Sequence, residues 1–130
     1  MPKKRFTEDS WRREHWFQAL CGAIAMCETK EEVADLLRDI GTLSELQAWS
    51  ERFEVAKQLS QGLTYREIAA NTGASTTTVT RVAKYLENGE GGYRNVLKTH
   101  RHHRLHTKTD EQNTESRERS DSVLKKYLHK

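Results

Sequence analysis

The sequence predicts an all-α protein: a bundle of short helices that carries a helix-turn-helix. Three observations predict it. Thr29 with Glu32, Thr42 with Glu45, and Thr64 with Glu67 all have the capping-box spacing, in which hydroxyl and carboxylate each accept from the other residue's free amide. No segment alternates apolar and polar residues with the period of a strand, and the single proline is at position 2. Residues 62–86, GLTYREIAANTGASTTTVTRVAKYL, put Ala69, Gly73 and Val79 at the offsets a helix-turn-helix requires. A small residue must lie where the helices touch, a glycine must permit the turn, and an apolar residue must tie the second helix to the first.

Taken in order, a first helix is expected from about Thr7 to Cys27, with Trp16, Phe17, Leu20, Ile24 and Cys27 on one stripe. A short second helix carries Val33, Leu36, Leu37 and Ile40. The third runs from Leu43 to about Ser60 and stops before Gly62. On it Leu46, Trp49, Phe53, Val55, Ala56 and Leu59 cover more than half the circumference, leaving Gln47, Glu51, Glu54 and Gln58 as a polar strip. Such a helix needs cover on most sides, either from a second subunit in an intertwined homodimer or from its own chain. Arg52 falls inside the apolar arc, where a buried guanidinium would need a ligand or a salt-bridge partner.

The helix-turn-helix pair follows, with Ser75 as a further N-cap opening its second helix. Gly89, Gly91 and Gly92 end that helix, and Tyr93 to Leu97 suggest one more short turn. After Thr99 the chain becomes polar, HRHHRLHTKTDEQNTESRERSDS, with a weak helix expected near Ser120 to Leu128. The expected division is a domain over 1–98 and a basic, His-rich tail over 99–130.

Composition restricts the function. With a hydrophobic fraction of 35% and a net charge of +3, the chain of 130 residues is wet and mildly basic. Charge distribution says more. From Glu28 to Gln61 there are eight acids against four bases, whereas Gly91 to Thr109 holds five bases and no acid. A protein with one basic end can orient on a phosphate backbone. The longest apolar run, Ala19 to Cys27, is too short to span a bilayer, and the acids Glu8, Asp9 and Glu14 argue against a signal peptide. Cys21 and Cys27 are six apart on a helix and face different ways, so reduced, packed thiols in a cytoplasmic protein are expected. No Gly-rich phosphate loop, catalytic carboxylate pair or Cys/His nucleophile arrangement is present, so the sequence gives no reason to expect an enzyme.

The second helix of the pair divides into two faces. Val79, Val82, Ala83 and Leu86 recur at i, i+3, i+4 and i+7 and dock it, while Thr76, Thr77, Thr80, Arg81 and Lys84 lie on the largely opposite arc. Short hydroxyl side chains can reach base edges and phosphates, Arg81 a guanine or phosphate, and Lys84 a phosphate. Threonines on an exposed helix can also be simply solvated. Yet Thr76, Thr77, Thr78 and Thr80 are poor helix formers, a local cost that contact with DNA would explain. Thr64 and Arg66, at the start of the preceding helix, complete the candidate DNA-binding set.

ELQAWSERFEVAKQLSQGLTYREIAANTGASTTTVTRV followed by GEGGYRNVL resembles the Trp repressor superfamily, in its YerC/YecD-type TrpR-like branch, over about residues 15–98. The resemblance implies an intertwined homodimer that binds operator DNA and represses transcription. The best-known member uses L-tryptophan as corepressor, and Thr42, Arg52, Thr78 and Arg81 are similar to its ligand-contacting residues. Where that member has a small hydroxyl residue, this chain has Tyr85, whose ring could fill the indole space and make DNA binding ligand-independent. The alternative to a regulator is an adaptor whose helix-turn-helix meets another protein and binds DNA only non-specifically. His100, His102, His103 and His106 could in principle hold zinc or nickel, but a tail without carboxylate or cysteine partners is a poor preformed site. A basic arm along DNA phosphates suits the position better, and no metal is expected.

Overall fold

The computed structural model describes residues 5–105, with side chains through Lys98. Every regular element is helical, and no strand occurs among the described residues. A single 3-10 turn, Trp11–Arg13, precedes α1 (His15–Met26), α2 (Lys30–Ile40), α3 (Leu43–Ser60), α4 (Tyr65–Thr72), α5 (Thr76–Asn88) and α6 (Gly92–Leu105). The chain divides into two compact units at Leu46/Gln47, a point inside α3.

The first unit differs from expectation at its start. Instead of one helix from Thr7, the 3-10 turn stops at Glu14, whose extended backbone (ψ 129°) breaks the helical path before α1 begins. Thr7 and Ser10 close a local turn, each hydroxyl accepting from the other's amide at 3.0 and 3.1 Å. That exchange satisfies both amides locally, without a helical first turn. Aromatic contacts hold the segment to α1: Phe17 meets Trp11 and Phe6 edge-on, at centroid distances of 5.4 and 6.4 Å. Cys21 is exposed rather than packed, and the Cys27 thiol donates to the Ala23 carbonyl.

Two of the three capping boxes close in full. Thr42 and Glu45 exchange bonds of 3.0 and 3.1 Å, and Thr64 and Glu67 bonds of 2.8 and 3.2 Å. At Thr29 only half the box forms. The hydroxyl accepts from the Glu32 amide, but the Glu32 carboxylate reaches one residue further back, to the Glu28 amide.

The buried core lies wholly in the second unit. Val55, Ala56 and Leu59 of α3, Ile68 of α4, Ala74 of the turn, Val79, Val82, Ala83 and Leu86 of α5, and Leu97 of α6 form one cluster. In the first unit no described apolar side chain is buried. Trp16 is 72% and Met26 82% exposed.

The last helix is longer than the short turn expected from Tyr93 to Leu97. Helical backbone continues to Leu105, into the segment expected to be tail. Polar composition had argued against order there, but α-helix closes its hydrogen bonds within the segment and needs no apolar partner to satisfy them. The expected helix near Ser120 and the remainder of the tail lie outside the described residues.

Candidate nucleic-acid interface

Thr64 opens the helix-turn-helix, capping α4 with its hydroxyl while Glu67 returns the bond. At the other end of α4, Gly73 turns the chain with a left-handed φ of 76°, which an L side chain resists. Thr72 reinforces the turn: its hydroxyl donates to the Ile68 carbonyl at 2.7 Å and accepts from the Ala74 amide at 3.1 Å. Ser75 then caps α5, accepting from the Thr78 amide and donating to the Thr78 hydroxyl, both at 3.1 Å.

This framework fixes which way α5 faces. Val79 and Leu86 are fully buried and Val82 and Ala83 nearly so, matching the expected docking face. Thr76, Thr77, Thr80, Arg81 and Lys84 are all exposed. Thr80 donates back to the Thr76 carbonyl at 2.9 Å, which leaves its oxygen lone pairs able to accept. Thr64 and Arg66 are exposed as well. Thr78 is only half-exposed and engaged by the N-cap.

Behind α5 lies a cleft of 840 Å³. Arg52, Phe53, Thr78, Arg81, Val82, Tyr85, the 89–92 loop, Tyr93 and Val96 line it. Four of the five candidate effector residues therefore meet: Arg52, Thr78, Arg81 and Tyr85. Thr42 is not among the lining residues. Two sequence-based expectations are corrected here. Arg52 is exposed, not buried, among the described residues. The Tyr85 ring is 59% exposed and forms one wall, so it does not plug the space in the single chain. The glycine-rich loop and Tyr93 were legible only as helix breakers and a following turn. What places them at the cleft is the fold-back after α5, which has no local signal.

The cleft mixes charge and apolar surface. Burial pushes the Tyr93 hydroxyl above its ordinary pKa of 10.0, while the nearby Arg52 charge pulls it down. Tyr93 is therefore a neutral hydrogen-bonding group at neutral pH. Its ring packs beside Phe53 at a centroid distance of 6.5 Å. Among the described residues no group of three or more His, Cys, Asp or Glu side chains is placed to hold a metal.

A helix-turn-helix of this construction, within an all-helical chain, matches a known family. The profile described as Trp repressor protein covers residues 14–101. The chain belongs to the Trp repressor family. It is 37% identical over 78 residues to the uncharacterized protein YerC of Bacillus subtilis (strain 168), an alignment spanning 60% of this chain and 75% of YerC. The structure of a TrpR-like protein from Eubacterium eligens ATCC 27750 superposes with a TM-score of 0.65 at 36% identity, covering 75% of this chain and 96% of that one. A Staphylococcus aureus protein named as a candidate Trp repressor gives 0.67 at 32% identity, covering 81% and 100%. The Trp repressor family is one of DNA-binding regulators, not of enzymes. No described helix is long and apolar enough to cross a membrane.

Proposed function

We propose that this protein is a sequence-specific, DNA-binding transcriptional repressor that acts as a cytoplasmic homodimer. One observation carries the reading: α5 buries Val79, Val82, Ala83 and Leu86 on one side and leaves Thr76, Thr77, Thr80, Arg81 and Lys84 uncovered on the other. A helix held rigidly by its back, with short hydroxyls and two cations at the front, suits insertion into a major groove. Thr64 and Arg66 would meet the flanking phosphates. The basic stretch after Gly91 would lie along the backbone as an electrostatic arm. The homodimer is supported by the first unit, which exposes Trp16 and Met26 and buries none of its described apolar side chains.

Selection from a randomised duplex pool with the purified chain tests this. Enrichment of a motif with two half-sites is the expected result. Weak, salt-sensitive association with no enriched sequence would instead identify an adaptor that meets another protein.

The cleft favours a second reading, which concerns control. Arg52 and Arg81 beside Phe53, Tyr85 and Tyr93 would suit an aromatic molecule that carries a carboxylate, such as L-tryptophan. Calorimetric titration decides it. Stoichiometric micromolar binding makes the cleft an effector site, and absence of heat makes DNA binding ligand-independent.

A further inference from the structure

α5 ends on two residues that the fold holds in a chemically reactive order. Asn88 is its last residue and is exposed, and Gly89 follows as the C-cap. Only glycine fits at 89, because a Cβ there would collide with the Tyr85 carbonyl oxygen. Of the asparagines Asn71, Asn88, Asn95 and Asn113, Asn88 alone precedes a glycine. The others precede Thr72, Val96 and Thr114, whose branched side chains crowd the neighbouring nitrogen. We propose that Asn88 is a self-modification site, which gives up its side-chain nitrogen as ammonia to attack by Gly89 and gains a charge that loosens the end of α5.

The reaction needs only water and hydroxide. Hydroxide takes the proton of the Gly89 amide, and the nitrogen attacks the side-chain carbonyl carbon of Asn88. The new C–N bond closes a succinimide ring, the bond to the side-chain nitrogen breaks, and that nitrogen leaves as ammonia with a proton from water. Water then opens the ring at either carbonyl, giving aspartate or isoaspartate at position 88, with no change of oxidation state. The fold sets the pace. In the helix the Gly89 amide donates to the Tyr85 carbonyl at 2.8 Å, a bond that keeps the proton in place and the nitrogen aimed away from Asn88. That bond must open first, and the last turn of a helix is where opening costs least. Either product puts a negative charge at the C-terminal end of α5, between Glu87 and Glu90, where the helix dipole opposes it. Isoaspartate also adds a main-chain carbon just before the 89–92 loop, which forms one wall of the cleft.

The test incubates the full chain at mildly alkaline pH, with and without denaturing guanidinium chloride, and follows the tryptic peptide 85–94 by mass spectrometry. Lys84 and Arg94 bound that peptide. It should gain the mass difference of one NH2-to-OH exchange, split between two chromatographic forms, aspartate and isoaspartate. The folded chain should react about tenfold more slowly than the denatured one, which corresponds to an opening cost of about 1.4 kcal/mol. Asn88→Gln should abolish the gain, because its longer side chain closes a ring with greater difficulty. The reacted protein and Asn88→Asp should both melt about 2–5 °C below the fresh chain. Three results overturn the proposal. One is a folded chain that reacts as fast as the denatured one, or not at all while the denatured one is consumed. The second is an equal gain at Asn71 or Asn95 in the folded chain. The third is a reacted protein whose melting point is unchanged.

Discussion

The Asn71 side-chain amide donates to the side-chain Oε1 of Gln58 at 3.2 Å, across thirteen residues of chain. It joins the end of α4 to α3, and Gln58 is itself held by donating to Glu54 at 3.1 Å. The first helix of the helix-turn-helix pair is thereby tied to the core helix by a polar contact outside the core. Asn71→Ala should cost about 0.5–1.5 kcal/mol in urea denaturation, the ordinary net worth of one hydrogen bond. In a double-mutant cycle with Gln58→Ala the two losses should be less than additive.

Two glycines differ in why they are required. At Gly73 a Cβ would meet nothing within 4 Å, so only the left-handed φ of 76° opposes it. Gly73→Ala should therefore cost about 1 kcal/mol, and Gly73→Asn less. At Gly89 the φ is ordinary, but a Cβ would collide with the Tyr85 carbonyl oxygen. Gly89→Ala should cost more than Gly73→Ala, because backbone has to move. Thermal melts of the two variants side by side check the order.

Arg81→Ala or Thr80→Ala should weaken specific duplex binding by about 1–3 kcal/mol if these residues read bases. Far-UV circular dichroism should remain unchanged, since both side chains are exposed. A fluorescence anisotropy series against the selected site and a scrambled duplex separates base reading from phosphate contact. Equal losses on both duplexes would reject base reading.

Removal of residues 99–130 should flatten the salt dependence of DNA binding and preserve sequence preference. The slope of log affinity against log salt reports the number of phosphates neutralised. An unchanged slope would reject the basic-arm role.

Acid should loosen the start of α3 in a defined direction. Bonds from the Thr42 backbone and side chain hold Glu45 below its ordinary pKa of 4.5. A carboxyl with a depressed folded-state pKa contributes its stability in full above the unfolded value, and loses it as pH falls through the folded one. The loss should therefore begin below about pH 4.5. In Glu45→Gln that part of the pH dependence should be missing, as followed by circular dichroism between pH 6 and 2.

The legible features share one property: each is decided within a few residues. Thr64 with Glu67, Gly73, Ser75 and the spacing Val79–Val82–Ala83–Leu86 are local, and each has the expected geometry. The failures come from competition that local spacing does not reveal. Thr7 and Ser10 spend their capping groups on one another, which the amphipathic stripe through Trp16 and Phe17 could not disclose. Glu32 finds the Glu28 amide instead of the Thr29 amide. Arg52 was placed by helical arc alone, and an arc says nothing about which neighbours arrive to cover it. The cleft is assembled from α3, α5, the 89–92 loop and the start of α6, so Arg52, Thr78, Arg81 and Tyr85 are visible in the sequence only one at a time.

Confining the interior to residues between Val55 and Leu97 makes resistance to opening uneven along the chain. Amide protons of α5 should be the slowest to exchange with deuterated solvent, while those of α1 and α2, with no enclosed side chain beneath them, should exchange early in an isolated molecule. Any protection of α1 and α2 that grows with protein concentration must then originate outside the polypeptide itself, which makes deuterium uptake at those two helices a direct gauge of self-association.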